Sequence, residues 1–98
     1  MKLSEYVFDI PNCYEFPFEM EEEEVEKYEE AREEILKRFE EIRRKYSDWE
    51  IIKEEDVTDN LDYDAGTIVI KKEDEVKTIK YYVSHNGMGD IYKDIWVE

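Results

Sequence analysis

The sequence predicts an α+β fold in which one long amphipathic helix packs on an antiparallel β-meander of four to five strands, all within a single domain covering residues 1–98. Three observations carry this expectation. Apolar residues recur at steps of three and four across 19–46, the period then drops to two, and turn signals divide the second half into short β-rich segments. Ninety-eight residues leave room for one modest core. A 41% hydrophobic fraction that includes fourteen aromatic side chains is too rich for a disordered acidic tail, so the chain is expected to fold.

Taken in order, "SEYVFDI" (4–10) alternates Tyr6, Phe8 and Ile10 on one side and suggests an edge strand. "PNCYEFPF" (11–18) carries aromatic groups between two prolines and reads as an ordered loop laid on the core. The helix follows. Val25, Tyr28, Ala31, Ile35, Phe39, Ile42 and Tyr46 form its apolar stripe, acids crowd its amino end, and Arg43, Arg44 and Lys45 suit its negative carboxyl end. Pairs four apart, such as Glu33 with Lys37 and Glu40 with Arg44, contribute about 0.2–0.5 kcal/mol each. Beyond it, "DWEIIK" (48–53), "TIVIK" (67–71), "VKTIKYYVS" (76–84) and "IYKDIWV" (91–97) are expected as strands. "KEDE" and the Asn86-Gly87 turn supply hairpins between the last three. On the third strand Ile79, Tyr81 and Val83 share a face, and on the fourth Ile91, Ile95 and Val97 do so with Lys93 interrupting.

The net charge of -15 is unevenly placed. Residues 19–30 sum to -7, residues 31–46 to +2 and residues 47–64 to -7, so two short segments hold almost all of the excess. The helix dipole explains acid in one turn, whereas this block runs for about three and sets like charges four apart at Glu22 with Glu26 and Glu26 with Glu30. Over those twelve residues, about 18 Å of helix, there is one charge per ~2.6 Å, between the values for one strand and for duplex DNA. The helix as a whole is much sparser.

Catalytic chemistry finds little footing. His85 is the only histidine and lies at a hairpin turn without a fixed acid or nucleophile beside it, and no glycine-rich phosphate loop exists, so no catalytic residue and no cofactor are assigned. Cys13 stands alone, away from any zinc spacing, and reads as a small hydrophobe. "EEDVTDNLDYDAG" (54–66) invites comparison with a calcium loop. With Asp62 as its first position, however, Gly66 falls at the fifth place instead of the sixth, and a strand follows where a helix is required. No metal site is assigned. Direct nucleic-acid binding is opposed by the charge, and no apolar run reaches the roughly 20 residues of a membrane helix. Without a recognisable leader the chain is expected in the cytoplasm, the host's if it is viral. The absence of glutamine and abundance of Glu, Lys, Ile and Tyr match the bias of heat-adapted proteins.

These bounds favour a small acidic inhibitor that occupies the basic nucleic-acid channel of a target enzyme as a nucleic-acid mimic. Its partner-binding residues are expected to be Glu21, Glu22, Glu23, Glu24, Glu26, Glu54, Glu55, Asp56, Asp59, Asp62, Tyr63 and Asp64. In size and charge the chain resembles the small acidic anti-defence proteins of phages and archaeal viruses, anti-CRISPR proteins and restriction inhibitors among them. That resemblance implies inhibition by competition. Two other readings stay open: an immunity protein against a basic nuclease toxin, and an interaction module that forms a homodimer through Tyr82, Tyr92 and Trp96. The same aromatic groups would be explained if they packed beneath the 11–18 loop.

Overall fold

A computed structural model describes residues 1–8, 21–59, 63–85 and 90–98; at 56–59, 63, 64 and 85 the description is of the backbone. Helix α1 spans Glu22–Lys45, followed by strands β1 (Glu50–Asp59), β2 (Tyr63–Lys72), β3 (Glu75–His85) and β4 (Ile91–Val97). The strands form one antiparallel sheet in chain order, β1-β2-β3-β4, and α1 lies across its β3–β4 half. This is the expected α+β meander with four strands.

The stripe on α1 performs as its spacing requires. Tyr28, Ala31, Ile35 and Phe39 are buried, and Val25 and Ile42 pack at the margins of the same core. Glu21 precedes the first turn in extended conformation and makes no side-chain cap, and Glu22, Glu23 and Glu24 place negative charge at the positive end of the helix dipole. At the other end the Tyr46 N–H donates to the Ile42 carbonyl, and the Trp49 N–H donates back to the Tyr46 carbonyl. Both aromatic rings are buried, edge to face at 5.2 Å, which holds the tight reversal into β1.

Alternation sorts the sheet into two faces. Ile68, Ile70, Ile79, Tyr81, Val83 and Ile95 turn toward α1 and are buried. Thr67, Val69, Thr78, Lys80, Tyr82 and Trp96 turn the other way. Lys93, the charged break in the β4 pattern, reaches Glu34 of α1 at 2.9 Å. Gly66 stands directly opposite Tyr81, whose ring lies over it: a Cβ at Gly66 would come within 2.6 Å of Tyr81 Cε1. Tyr81 also meets Phe8 edge to face, and Phe8 stacks on Phe39 at 4.1 Å.

The amino-terminal segment corrects one expectation. Instead of an edge strand, Leu3–Glu5 forms a 3-10 turn, and only an isolated bridge between Lys2 and Glu50 joins it to β1. The buried Leu3 and the rings of Tyr6 and Phe8 on Phe39 explain this. Tyr6 and Phe8 keep a strand's spacing, but their rings are committed to Phe39 of α1, which draws the segment onto the core instead of along the sheet edge. Ile10, the 11–18 loop and Cys13 lie outside the described residues. Strands β1 and β2 run longer than their β-rich cores because the acidic segment continues the ladder as far as Asp59 opposite Tyr63.

Candidate functional site

The position of the two acidic segments follows from strand direction. Near the start of α1, Lys27, Glu30 and Ala31 border Asp90 and Ile91; farther along, Arg38 contacts Asp94 and Ile95; near its end, Ile42 and Tyr46 border Val97. Strand β4 therefore runs alongside α1 in the same sense. Three antiparallel pairings later, β1 runs from the carboxyl end of the helix back toward its amino end.

The register then aligns rows across the sheet. Glu55, Thr67, Lys80 and Trp96 form one row, Asp56, Gly66, Tyr81 and Ile95 the next, and Asp59, Tyr63, Ser84 and Tyr92 lie three rows farther toward the helix start. The β1–β2 hairpin and the amino end of α1 thus share one end of a molecule 47 Å long. They do not merge. The helix lies over the β4 side and β1 forms the far edge, three strand spacings or about 14 Å across.

Glu21, Glu22, Glu23 and Glu26 are exposed, and Glu24 is half-buried. Glu54 and Glu55 are exposed on opposite faces of β1, Glu54 paired with Ile68 on the helix side and Glu55 with Thr67 on the open side. Asp56, Asp59, Tyr63 and Asp64 lie by their backbone on the two arms of the hairpin, and Asp62 lies outside the described residues. Lys53 contacts Glu55 at 2.9 Å, and this hydrogen bond holds the ammonium above the usual lysine range. The opposite end of the molecule mixes signs. Arg43, Arg44, Lys45, Lys71 and Lys72 gather there with Asp48, Glu50, Glu73, Asp74 and Glu75, and the Lys72–Asp48 bridge is 2.6 Å long. Charge is accordingly polarised along the long axis.

The sheet face turned away from α1 carries the aromatic groups considered for dimerisation. Tyr82 and Trp96 meet edge to face at 6.1 Å, and Tyr92 is 55% exposed. The Trp96 indole N–H donates to Glu98, and that bond, with one from Lys80, holds the Glu98 carboxyl below the usual glutamate range. Trp49 and Tyr81, from the same aromatic set, belong to the core instead.

A feature that sequence reasoning missed lies on the outer edge of β4. Arg38 donates to the Ile95 carbonyl at 2.8 Å and to Asp94 at 3.1 Å, while Asp94 accepts from the Ile95 N–H at 2.8 Å. One ion pair thus occupies both outward backbone groups of an edge residue, a device that blocks pairing with another chain. No local spacing announces it, because the partners are 56 positions apart. Among the described residues no group of His, Cys, Asp and Glu is arranged to hold a metal ion, and no helix is long and apolar enough to cross a membrane. Compared with protein-family models, with curated proteins and with solved structures, the chain matches none of them.

Proposed function

We propose that the protein is a non-enzymatic acidic inhibitor that docks its charged end on the basic nucleic-acid-binding surface of a target enzyme, in the manner of viral anti-defence and anti-CRISPR proteins. The observation that carries this reading is the shared direction of the acid-rich α1 amino end, where residues 19–30 sum to -7, and the β1–β2 hairpin, where residues 54–64 sum to -6. A polarised molecule is oriented as well as attracted by a basic cleft, since its mixed-charge end is repelled or ignored while the acidic end leads. Inhibition is then competition: carboxylates occupy the arginines and lysines that would hold phosphates, and no bond is made or broken. An immunity protein against a basic nuclease would use the same surface, and the identity of the partner separates the two roles.

The test is to immobilise the protein, pass over it a lysate of its natural host, elute with stepped salt and repeat with added DNA or RNA. A nucleic-acid enzyme released at moderate salt and displaced by nucleic acid is the expected result. Its capture should be lost with the combined variant E22Q/E23Q/E24Q/E26Q and kept with R43Q/R44Q. Partners indifferent to salt, nucleic acid and the helix-end variant would refute the reading. The Tyr82–Trp96 pair on the sheet face turned away from α1 favours a second reading, a homodimer. Sedimentation of wild type beside Trp96→Ala decides that case.

A further inference from the structure

The two edges of the sheet are treated differently. On β4 the outward groups of Ile95 are occupied by Arg38 and Asp94, and Lys93 is drawn to Glu34. On β1 the amino-terminal segment pairs only at the start, through Leu3 with Trp49 and Met1 with Ile51. Among the described residues no strand pairs with that edge beyond Ile51.

The hydrogen-bond parity shows which groups face out. Thr78 and Glu98 exchange both backbone bonds, so Thr78 faces β4 and Ile79 faces β2. Ile68, opposite Ile79, therefore faces β3, and Thr67 and Val69 face β1. It follows that Lys53 and Glu55 are spent on β2, whereas the backbone N–H and C=O of Glu54, Asp56 and Thr58 point away from the sheet. Beside the start of this row lies a groove of about 540 Å³ whose walls include Met1, Val7 and Ile52, respectively 66%, 86% and 54% exposed, with Glu54 at its rim.

From these observations we infer that the β1 edge is a strand-addition site for an extended basic segment of a partner protein, whose main chain pairs with Glu54, Asp56 and Thr58 and whose apolar side chain enters the groove. Charge selects this occupant. A second copy pairing β1 with β1 would set acid against acid, while a lysine- or arginine-bearing strand meets Glu54 and Glu55 with opposite sign. The inference rests on the proposed function only in taking the partner to be basic.

The experiment follows backbone amide exchange in the full chain at about 150 mM salt, with a synthetic peptide of alternating lysine and valine as probe. Its control is the same peptide N-methylated at alternate backbone nitrogens, which keeps charge and removes strand pairing. Strand addition is expected to slow exchange at Glu54, Asp56 and Thr58 by about tenfold or more, and the methylated peptide should bind at least about tenfold more weakly. Glu54→Pro removes an outward N–H without touching the β2 ladder, so it should fold normally and lose the peptide, whereas Glu54→Gln should keep most of the binding. Equal binding of both peptides with protection at the α1 amino end would overturn strand addition while leaving the acidic-end reading intact. No binding, or a self-paired dimer abolished by Glu54→Pro, would also overturn it. The failure of lysate capture described above, with peptide pairing preserved, would instead sink the proposed target class alone.

Discussion

Replacing Gly66 with alanine perturbs the point of the sheet where the Tyr81 ring lies over the backbone. The new methyl would lie within 2.6 Å of Tyr81 Cε1, so the ring must move, and it cannot move alone. Tyr81 is 8% exposed, edge-on to Phe8 at 4.8 Å, and Phe8 is stacked on the fully buried Phe39. Overpacking of such a site costs about 1–3 kcal/mol, against which the loss of glycine's unfolded-state freedom returns about 0.5–1 kcal/mol. A net loss of about 1–2 kcal/mol is expected. Urea unfolding read by the fluorescence of Trp49 and Trp96 should show the midpoint falling by roughly 1 M at an unchanged slope. The cause can be isolated with Tyr81→Ala. In that background Gly66→Ala should no longer destabilise, giving a coupling energy of about 1 kcal/mol or more. A Gly66→Ala protein as stable as wild type, or a penalty that persists without the tyrosine ring, would refute the argument that the ring is seated on the glycine.

Three further outcomes are expected. The hydrogen bond from Lys72 holds Asp48 below its ordinary range and Lys72 above its own, so the bridge contributes above the unfolded aspartate pKa and below the unfolded lysine pKa. The Tm gap between wild type and Asp48→Asn should therefore be present near neutral pH and close both as pH falls through the depressed aspartate value and as it rises through the raised lysine value; a gap independent of pH would contradict this. Arg38→Met removes the cap on Ile95, and since both charged partners are partly exposed it should cost only about 0.5–1 kcal/mol, while concentration-dependent light scattering rises as the β4 edge opens. Glu26→Lys converts two repulsive pairs, with Glu22 and Glu30, into attractive ones, and thermal melting should show a gain of about 0.5–1 kcal/mol together with weakened partner capture. Unchanged capture would remove the helix end from the binding surface.

What the sequence made legible followed from periodicity. The stripe from Val25 to Tyr46 and the alternation through Ile79, Tyr81 and Val83 each have a repeat that only one secondary structure satisfies, and both are where the pattern puts them. The direction of β1 was conditional on the chain reversing directly after α1, which the buried Tyr46 and Trp49 pair brings about. The amino-terminal segment misled because Tyr6 and Phe8 have strand spacing but are used as core plugs. Edge capping by Arg38, the seating of Tyr81 on Gly66 and the outward backbone groups of β1 depend on register between distant segments, and no local pattern encodes register. The acidic residues themselves were plain in the composition. Their common end was not, since it is a property of topology.

The long reach between α1 and β4 has a consequence for how the chain is made. Each neighbouring strand pair closes through a hairpin and needs only local search, but the helix's main contact surface on the sheet includes a strand about fifty positions farther on, as the Arg38–Asp94 separation illustrates. On the ribosome, Tyr28, Ile35 and Phe39 emerge well before the segment that helps bury them. During that interval the helix is an apolar stripe with nothing against it, the condition in which nascent chains stick to one another. Dense glutamate at its leading end keeps such intermediates apart by mutual repulsion. The charge on which the proposed docking would rest thus has a second physical effect, keeping the unfinished chain dispersed until the sheet can cover the stripe.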